Sequence, residues 1–156
     1  MRRKIKNRKV VGPDMVFNSP RVAKFTNYLM LSGEKSIARK VVADTFELLK
    51  EKAKVADPVE FLESALKNTT PLMEVRSRRV GGANYQVPRE VRKERQQALS
   101  MKWIIEAARS KKGANMHKKL ADEIIAAAKN EGEAVKKKEN THKMAEANKA
   151  FAHFTW

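Results

Sequence analysis

Cysteine is absent from all 156 residues, and with it go disulfides, thiolate metal sites and cysteine nucleophiles. An intracellular location fits that absence. Acidic residues are scarce, 18 against 34 Lys+Arg, which leaves a formal net charge of +16. Self-repulsion on that scale opposes compaction, so it points to a polyanionic partner, nucleic acid before any other. Aromatic residues make up only 6%, and few lie near the basic runs. The dense aromatic platform on which single-strand RNA modules stack bases is therefore missing, and contacts are expected mainly to phosphate, ribose and shape. No apolar run approaches the ~18 residues that a membrane-spanning helix needs, and the first residues lack a signal-peptide apolar segment. No membrane partner is expected. Catalytic groupings are missing too. His117, His142 and His153 are too far apart in sequence to suggest a local metal site. No glycine-rich loop carries the phosphate-loop lysine spacing. Glu47, Glu51, Glu63 and Glu146 lie among lysines on expected helices, where intrahelical pairing explains them. Neither an enzyme nor a cofactor is expected.

What the chain does hold is a basic hairpin inside an otherwise helical sequence. In VRSRRVGGANYQVPREV, residues 75–91, side chains alternate: Val75, Ser77 and Arg79 point one way, Arg76, Arg78 and Val80 the other. Gly81, Gly82, Ala83 and Asn84 supply a turn, since glycine and asparagine tolerate the positive φ of tight hairpins. Tyr85 and Val87 resume a strand, and Pro88, which cannot donate to a ladder, is expected to end the pairing. With arginines on both faces, neither face is expected in an apolar core. The segment reads as an arm projecting towards a polyanion, with Tyr85 as its candidate for stacking on a base.

Around the arm the sequence spells out about six helices. Residues 1–11 form a basic tail with Arg2, Arg3, Lys4, Lys6, Arg8 and Lys9 and no acid, expected to order only on binding. Ser19 is placed to cap a first helix with Pro20 at its start. A second begins near Lys35, with Ile37, Val41, Val42, Thr45, Phe46 and Leu49 as its core positions. Asp57 and Glu60 resemble a capping box opening a third. After the arm, a longer helix carries Val91, Ala98, Met101, Ile105 and Ala108 on one face, with Trp103 packed beside them. Asn115 is expected to cap a fifth. A sixth, from about Glu133 to Lys149, has a thin stripe of Val135, Met144, Ala145 and Ala147, and is expected on the outside of the bundle. With 42% hydrophobic residues the chain can bury one core. The fold class is mainly α: a bundle of about six helices with one protruding basic β-hairpin arm, in a single domain.

The basic clusters fall at element ends. Arg109, Lys111 and Lys112 complement a helix carboxyl end. Together with Lys118 and Lys119 they suggest a basic concavity around Gly113, suited to a phosphate.

The arm, the GANM turn at 113–116 and the stretch MAEANKAFAHF at 144–154 closely resemble the family of small-subunit ribosomal protein seven, bacterial or plastid type. The resemblance spans nearly the whole chain, with tail, arm and alanine-rich last helix in the family's order. It implies a single RNA-binding domain over 1–156, divided into an N-terminal tail at 1–11, an arm at 73–89 and a C-terminal tail at 150–156. It implies a structural protein, cytoplasmic in the ribosome or in the plastid stroma, that binds the head domain of small-subunit ribosomal RNA and nucleates head assembly. It also implies a seat at the subunit interface near the exit-site transfer RNA, beside small-subunit ribosomal proteins eleven and nine. Carried over by position, the RNA-facing set is the six tail cations, Lys35, Arg76, Arg78, Arg79, Tyr85, Gln86, Arg92, Arg95, Asn115, Met116 and Lys119. Two positions depart from the family pattern. Glu34 stands where a lysine or arginine is usual, and Thr155 where an arginine commonly precedes the final aromatic. An architectural DNA-binding protein is the alternative that composition allows. The glycine-rich tip argues against it, because minor-groove arms usually carry a wedging proline or aliphatic residue there.

Overall fold

A computed structural model describes residues 10–154. Its elements are α1 (Pro20–Leu29), α2 (Lys35–Ala53), α3 (Pro58–Thr69), β1 (Met73–Val80), β2 (Ala83–Glu90), α4 (Lys93–Ser110), α5 (Met116–Ala128), α6 (Glu133–Ala147) and a closing 3-10 turn (Lys149–Phe154). The bundle forms around α5, which packs against α2, α3 and α4, while α1 covers α2 and α4. Phe25, Phe46, Leu49, Leu62, Met101, Ile104, Leu120 and Ile124 are fully buried. At roughly 1.5–3 kcal/mol for each such side chain, this cluster supplies the main force holding the helices together.

Local signals explain the element boundaries. Ser19 accepts a hydrogen bond from the Val22 N–H with Pro20 beginning α1, and Asp57 accepts one from Val59 with Pro58 beginning α3. Of the expected capping box only the Asp57 half forms among the described residues. Ile37 is 57% exposed, against expectation. The packed stripe of α2 runs through Ala38, Val42, Thr45, Phe46 and Leu49, and Ile37 falls one residue off it, at the rim. Val91 is buried but precedes α4, and Ala98 is half-buried. Trp103 is packed as expected, 7% exposed.

The arm is one antiparallel hairpin, paired from Met73↔Glu90 to Val80↔Ala83. Its turn is tighter than the four residues expected: Gly81 and Gly82 alone, at φ 57° and 91°, make the positive-φ pair of a two-residue loop. Nor does Pro88 end the pairing. Hydrogen-bonded and non-bonded pairs alternate away from the closing Val80↔Ala83 pair, which places Val75↔Pro88 among those whose nitrogens point away from the partner strand. A proline there costs the ladder no bond. The arm is not wholly free of the core either. Glu74, Val87 and Pro88 are buried at its root, where α6 crosses it.

The last helix lies on the outside of the bundle, as expected, with most of its residues exposed, and from there it bridges the arm to α3, α4 and α5. It buries Ala134, Val135 and Ala145 and leaves Met144 exposed. The thin apolar stripe suffices because polar contacts do the rest. Lys138 donates to the Asn68 carbonyl at 2.8 Å, and the Leu72 N–H donates to His142 Nε2 at 3.0 Å. Burial, helped by Lys138, holds the His142 imidazole below its ordinary range, which keeps that nitrogen available as an acceptor.

Candidate nucleic-acid interface

The described cations separate into those the fold consumes and those it leaves facing solvent. Glu74 is the centre of the first group. Its side chain is 8% exposed and accepts from Arg89 Nε at 2.8 Å and Nη2, and from Arg95 Nε at 2.6 Å. Burial alone would raise this carboxyl, but the hydrogen bonds from Arg89 and Arg95 outweigh it and lower its pKa. Arg95, expected on the RNA face, is thus tied to the arm's root and joins β1 to the first turn of α4, although half of its side chain stays exposed.

A second buried carboxylate does similar work from the middle of α5. Glu123, 1% exposed, takes Lys111 Nζ at 2.6 Å on Oε2 and the Ala134 N–H at 3.1 Å on Oε1. It caps α6 from another helix. Gly132 makes this possible, because a Cβ there would stand 2.8 Å from Glu123 Oε1. The expected phosphate concavity around Gly113 loses two of its members to such contacts. Lys111 serves Glu123, and Arg109 Nη2 donates to the Leu29 carbonyl at 2.9 Å, holding the end of α4 to the end of α1. Lys112 and Lys118 remain exposed.

The arm shows the same division. Glu74, Arg78, Tyr85, Val87 and Arg89 occupy its inward face and are at least half-buried, while Ser77, Arg79, Asn84 and Gln86 on the other face are exposed. Arg76 is exposed although it alternates with the inward set. Arg78 Nη1 donates to the Phe154 carbonyl at 3.2 Å. Tyr85, expected to await a base, lies instead beside Phe151 and Phe154, with ring centroids 5.2 and 5.3 Å away.

The other expected site residues gather at helix amino ends. Lys35 opens α2, Arg92 precedes α4, and Asn115, Met116 and Lys119 open α5. None of these three helices has a side-chain cap. Asn115 leaves its amide exposed and only its carbonyl accepts, from the N–H groups of Lys118 and Lys119. The first turns of α2 and α5 contain no acid, although Glu34 occupies the N-cap position of α2 without capping it, and the first turn of α4 has Glu94 between Lys93 and Arg95. Cations at the positive end of a helix dipole are unfavourable in the free protein, and uncapped N–H groups beside them form an anion-binding arrangement. Two of the three ends adjoin one another: Glu34, Ile37, Arg109 and Met116 line one shallow groove of about 320 Å³. The third lies at the arm's root, roughly 27 Å away along the length of α4. The candidate surface is therefore bipartite.

Arg2, Arg3, Lys4, Lys6, Arg8 and Lys9, and the Thr155 departure, lie outside the described residues. Sequence reasoning missed Glu74 and Glu123. Glu123 had a usable signal, a lone carboxylate on the stripe of Leu120, Ile124 and Ala127. Among the described residues no helix is long and apolar enough to cross a membrane, and no three His, Asp or Glu residues group as a metal site.

Residues 1–149 match the family described as Ribosomal protein S7p/S5e. Several similar proteins carry the name small ribosomal subunit protein uS7. That of Thermotoga maritima is 53% identical over 156 residues, covering all of both chains. That of Moorella thermoacetica is 54% identical over 149 residues, covering 96% of this chain and 95% of its own. That of Francisella tularensis subsp. holarctica is 58% identical over 144 residues, covering 92% of each. With a match of this extent joined to a helical bundle and a basic hairpin, the chain belongs to the ribosomal protein S7p/S5e family, a family of structural components and not of enzymes.

Proposed function

We propose that this protein acts in the ribosome by binding the head-domain RNA of the small subunit directly, and that it does so through two separated cationic surfaces. One is the α2–α5 end, with Lys35, Asn115, Met116 and Lys119. The other is the arm and the start of α4, with Arg76, Arg79, Gln86 and Arg92. The observation that carries the reading is the pairing of helix amino ends that have no side-chain cap with cations that, among the described residues, form no ion pair. An RNA phosphate satisfies both at once. The basic tail at 1–11 adds further phosphate contacts. Head assembly starts from this protein because patches tens of ångströms apart bridge RNA segments that only a folded junction brings together. The exit-site transfer RNA and small-subunit proteins eleven and nine are its proposed neighbours, as the family resemblance implies.

Competition titrations at two salt concentrations test the reading. A folded head-domain fragment is expected to outcompete an unstructured RNA and a DNA duplex of equal length. That advantage is expected to survive at moderate salt, where purely electrostatic association fades. Equal affinity for all three would reduce the protein to a nonspecific polycation, and preference for the duplex would favour the DNA-binding alternative.

A further inference from the structure

The carboxyl-terminal turn and the arm grip each other at residues that are directly opposed in the hairpin. Arg78 and Tyr85 are register partners on the inward face. Both engage the 3-10 turn Lys149–Phe154: Arg78 donates to the Phe154 carbonyl, and Tyr85 packs beside the Phe151 and Phe154 rings. Those two rings are nearly parallel, 13° apart with centroids at 6.4 Å. The turn is anchored on β2 and α6 and buries no residue of its own fully. Each element is weak alone. A two-stranded hairpin is marginal in water, and a 3-10 segment of this length has poor hydrogen-bond geometry and open carbonyls at its end. Together they remove aromatic surface from water and give one such carbonyl a guanidinium partner.

We infer that the Lys149–Phe154 turn is a clasp that fixes the direction of the arm, with Phe151 and Phe154 as positioning residues acting through Tyr85 and Arg78. Its consequence for binding rests on the RNA reading above. The clasp lies beyond the root contacts at Glu74 and Val87 and nearer the Gly81–Gly82 tip. It therefore limits swing of the outward face, where Arg79 and Gln86 are presented. A positioning role differs from direct contact in what salt reports. Freeing the arm costs affinity without removing phosphate contacts, so the slope of log K against log salt stays the same.

The test uses the full chain with Phe151→Ala and Phe154→Ala combined, and Tyr85→Phe as the conservative variant. Amide hydrogen exchange over 76–86 is expected to quicken by about tenfold or more in the double variant, with exchange in α4 and α5 unchanged. RNA affinity falls while the salt slope holds, and Tyr85→Phe behaves as the parent in all respects. Unchanged arm exchange overturns the clasp whatever RNA binding does. A flattened salt slope also overturns it, since the turn would then touch RNA itself. Faster exchange with unaltered affinity supports the clasp and overturns the arm's part in the RNA reading, so the two failures are distinguishable. Should the double variant lose its helical circular dichroism, Phe154→Ala alone, which removes no charge, takes its place with the same measurements.

Discussion

The amino ends of α1, α3 and α6 and those of α2, α4 and α5 solve one problem in opposite ways. The first three satisfy exposed N–H groups from inside the protein, with Ser19, Asp57 and the distant Glu123. The second three have no side-chain cap and gather Lys35, Arg92, Lys93, Lys118 and Lys119. A helix end that is closed contributes stability to the free chain, while one left open and basic keeps its favourable interaction for an incoming anion. The same contrast divides the cations. Arg89, Arg95, Arg109 and Lys111 complete the fold on internal acceptors, and net charge alone does not distinguish them from those that face outward.

The largest effect is expected at the closed end of α6. Glu123→Ala leaves the Lys111 ammonium and the Ala134 N–H without their buried partner, and should cost about 3 kcal/mol in chemical denaturation. Loss below about 1 kcal/mol would mean that water replaces the carboxylate and that this cap is no different from an open end.

The open ends should respond the other way. Changing Lys35, Arg92 and Lys119 together to alanine should alter stability by less than about 0.5 kcal/mol. If each meets a phosphate, the triple change flattens the salt dependence of RNA binding by about two units. An unchanged slope in filter-binding titrations would remove these helix ends from the interface.

A sharper version closes an open end deliberately. Asn115→Asp places a negative charge at the amino end of α5 and should stabilise the free protein by about 0.5 kcal/mol while weakening RNA binding. A thermal melt and a binding isotherm on the same sample check it. Stability and affinity rising together would mean that the open amino end of α5 is not reserved for an incoming anion.

The smallest effect is at His142, where α6 meets the start of the arm. Its folded pKa lies below the ordinary 6.5, so the unfolded chain binds the extra proton first as pH falls. Its contribution is complete above about 6.5 and shrinks as pH drops through that value. Comparing the pH dependence of unfolding with that of His142→Gln isolates it. Identical profiles would show that the Leu72 N–H does not depend on a neutral ring.

Helix starts, the hairpin and the polyanionic partner class were legible because their signals are local or compositional. A cap acts over two or three residues, as Ser19 and Asp57 do, and a glycine pair makes its own turn. Alternation correctly separated Arg76 and Arg78 from Arg79. It also led to the expectation that neither face enters an apolar core, but did not show that the inward face would be half-buried on polar partners, Glu74 and the Phe154 carbonyl, which meet the guanidinium groups. Ile37 obeyed helical spacing and still missed the buried stripe, since periodicity gives a face only to within about a residue.

By itself, then, the sequence determined six helices, one basic hairpin and an excess of cations, because hydrogen-bond closure within a turn and summed charge need no knowledge of the fold. Only the tertiary structure decided which cations are consumed. Arg89 and Arg95 reach Glu74 across 15 and 21 residues, Arg78 reaches Phe154 across 76, and Arg109 reaches Leu29 across 80. Ion pairing and carbonyl satisfaction depend on distance in space within a few ångströms, and packing of the apolar core sets those distances. That packing turned Tyr85 towards Phe151 and Phe154, put Glu123 under the first turn of α6, and left the open ends of α2, α4 and α5 facing outward with their charge unspent.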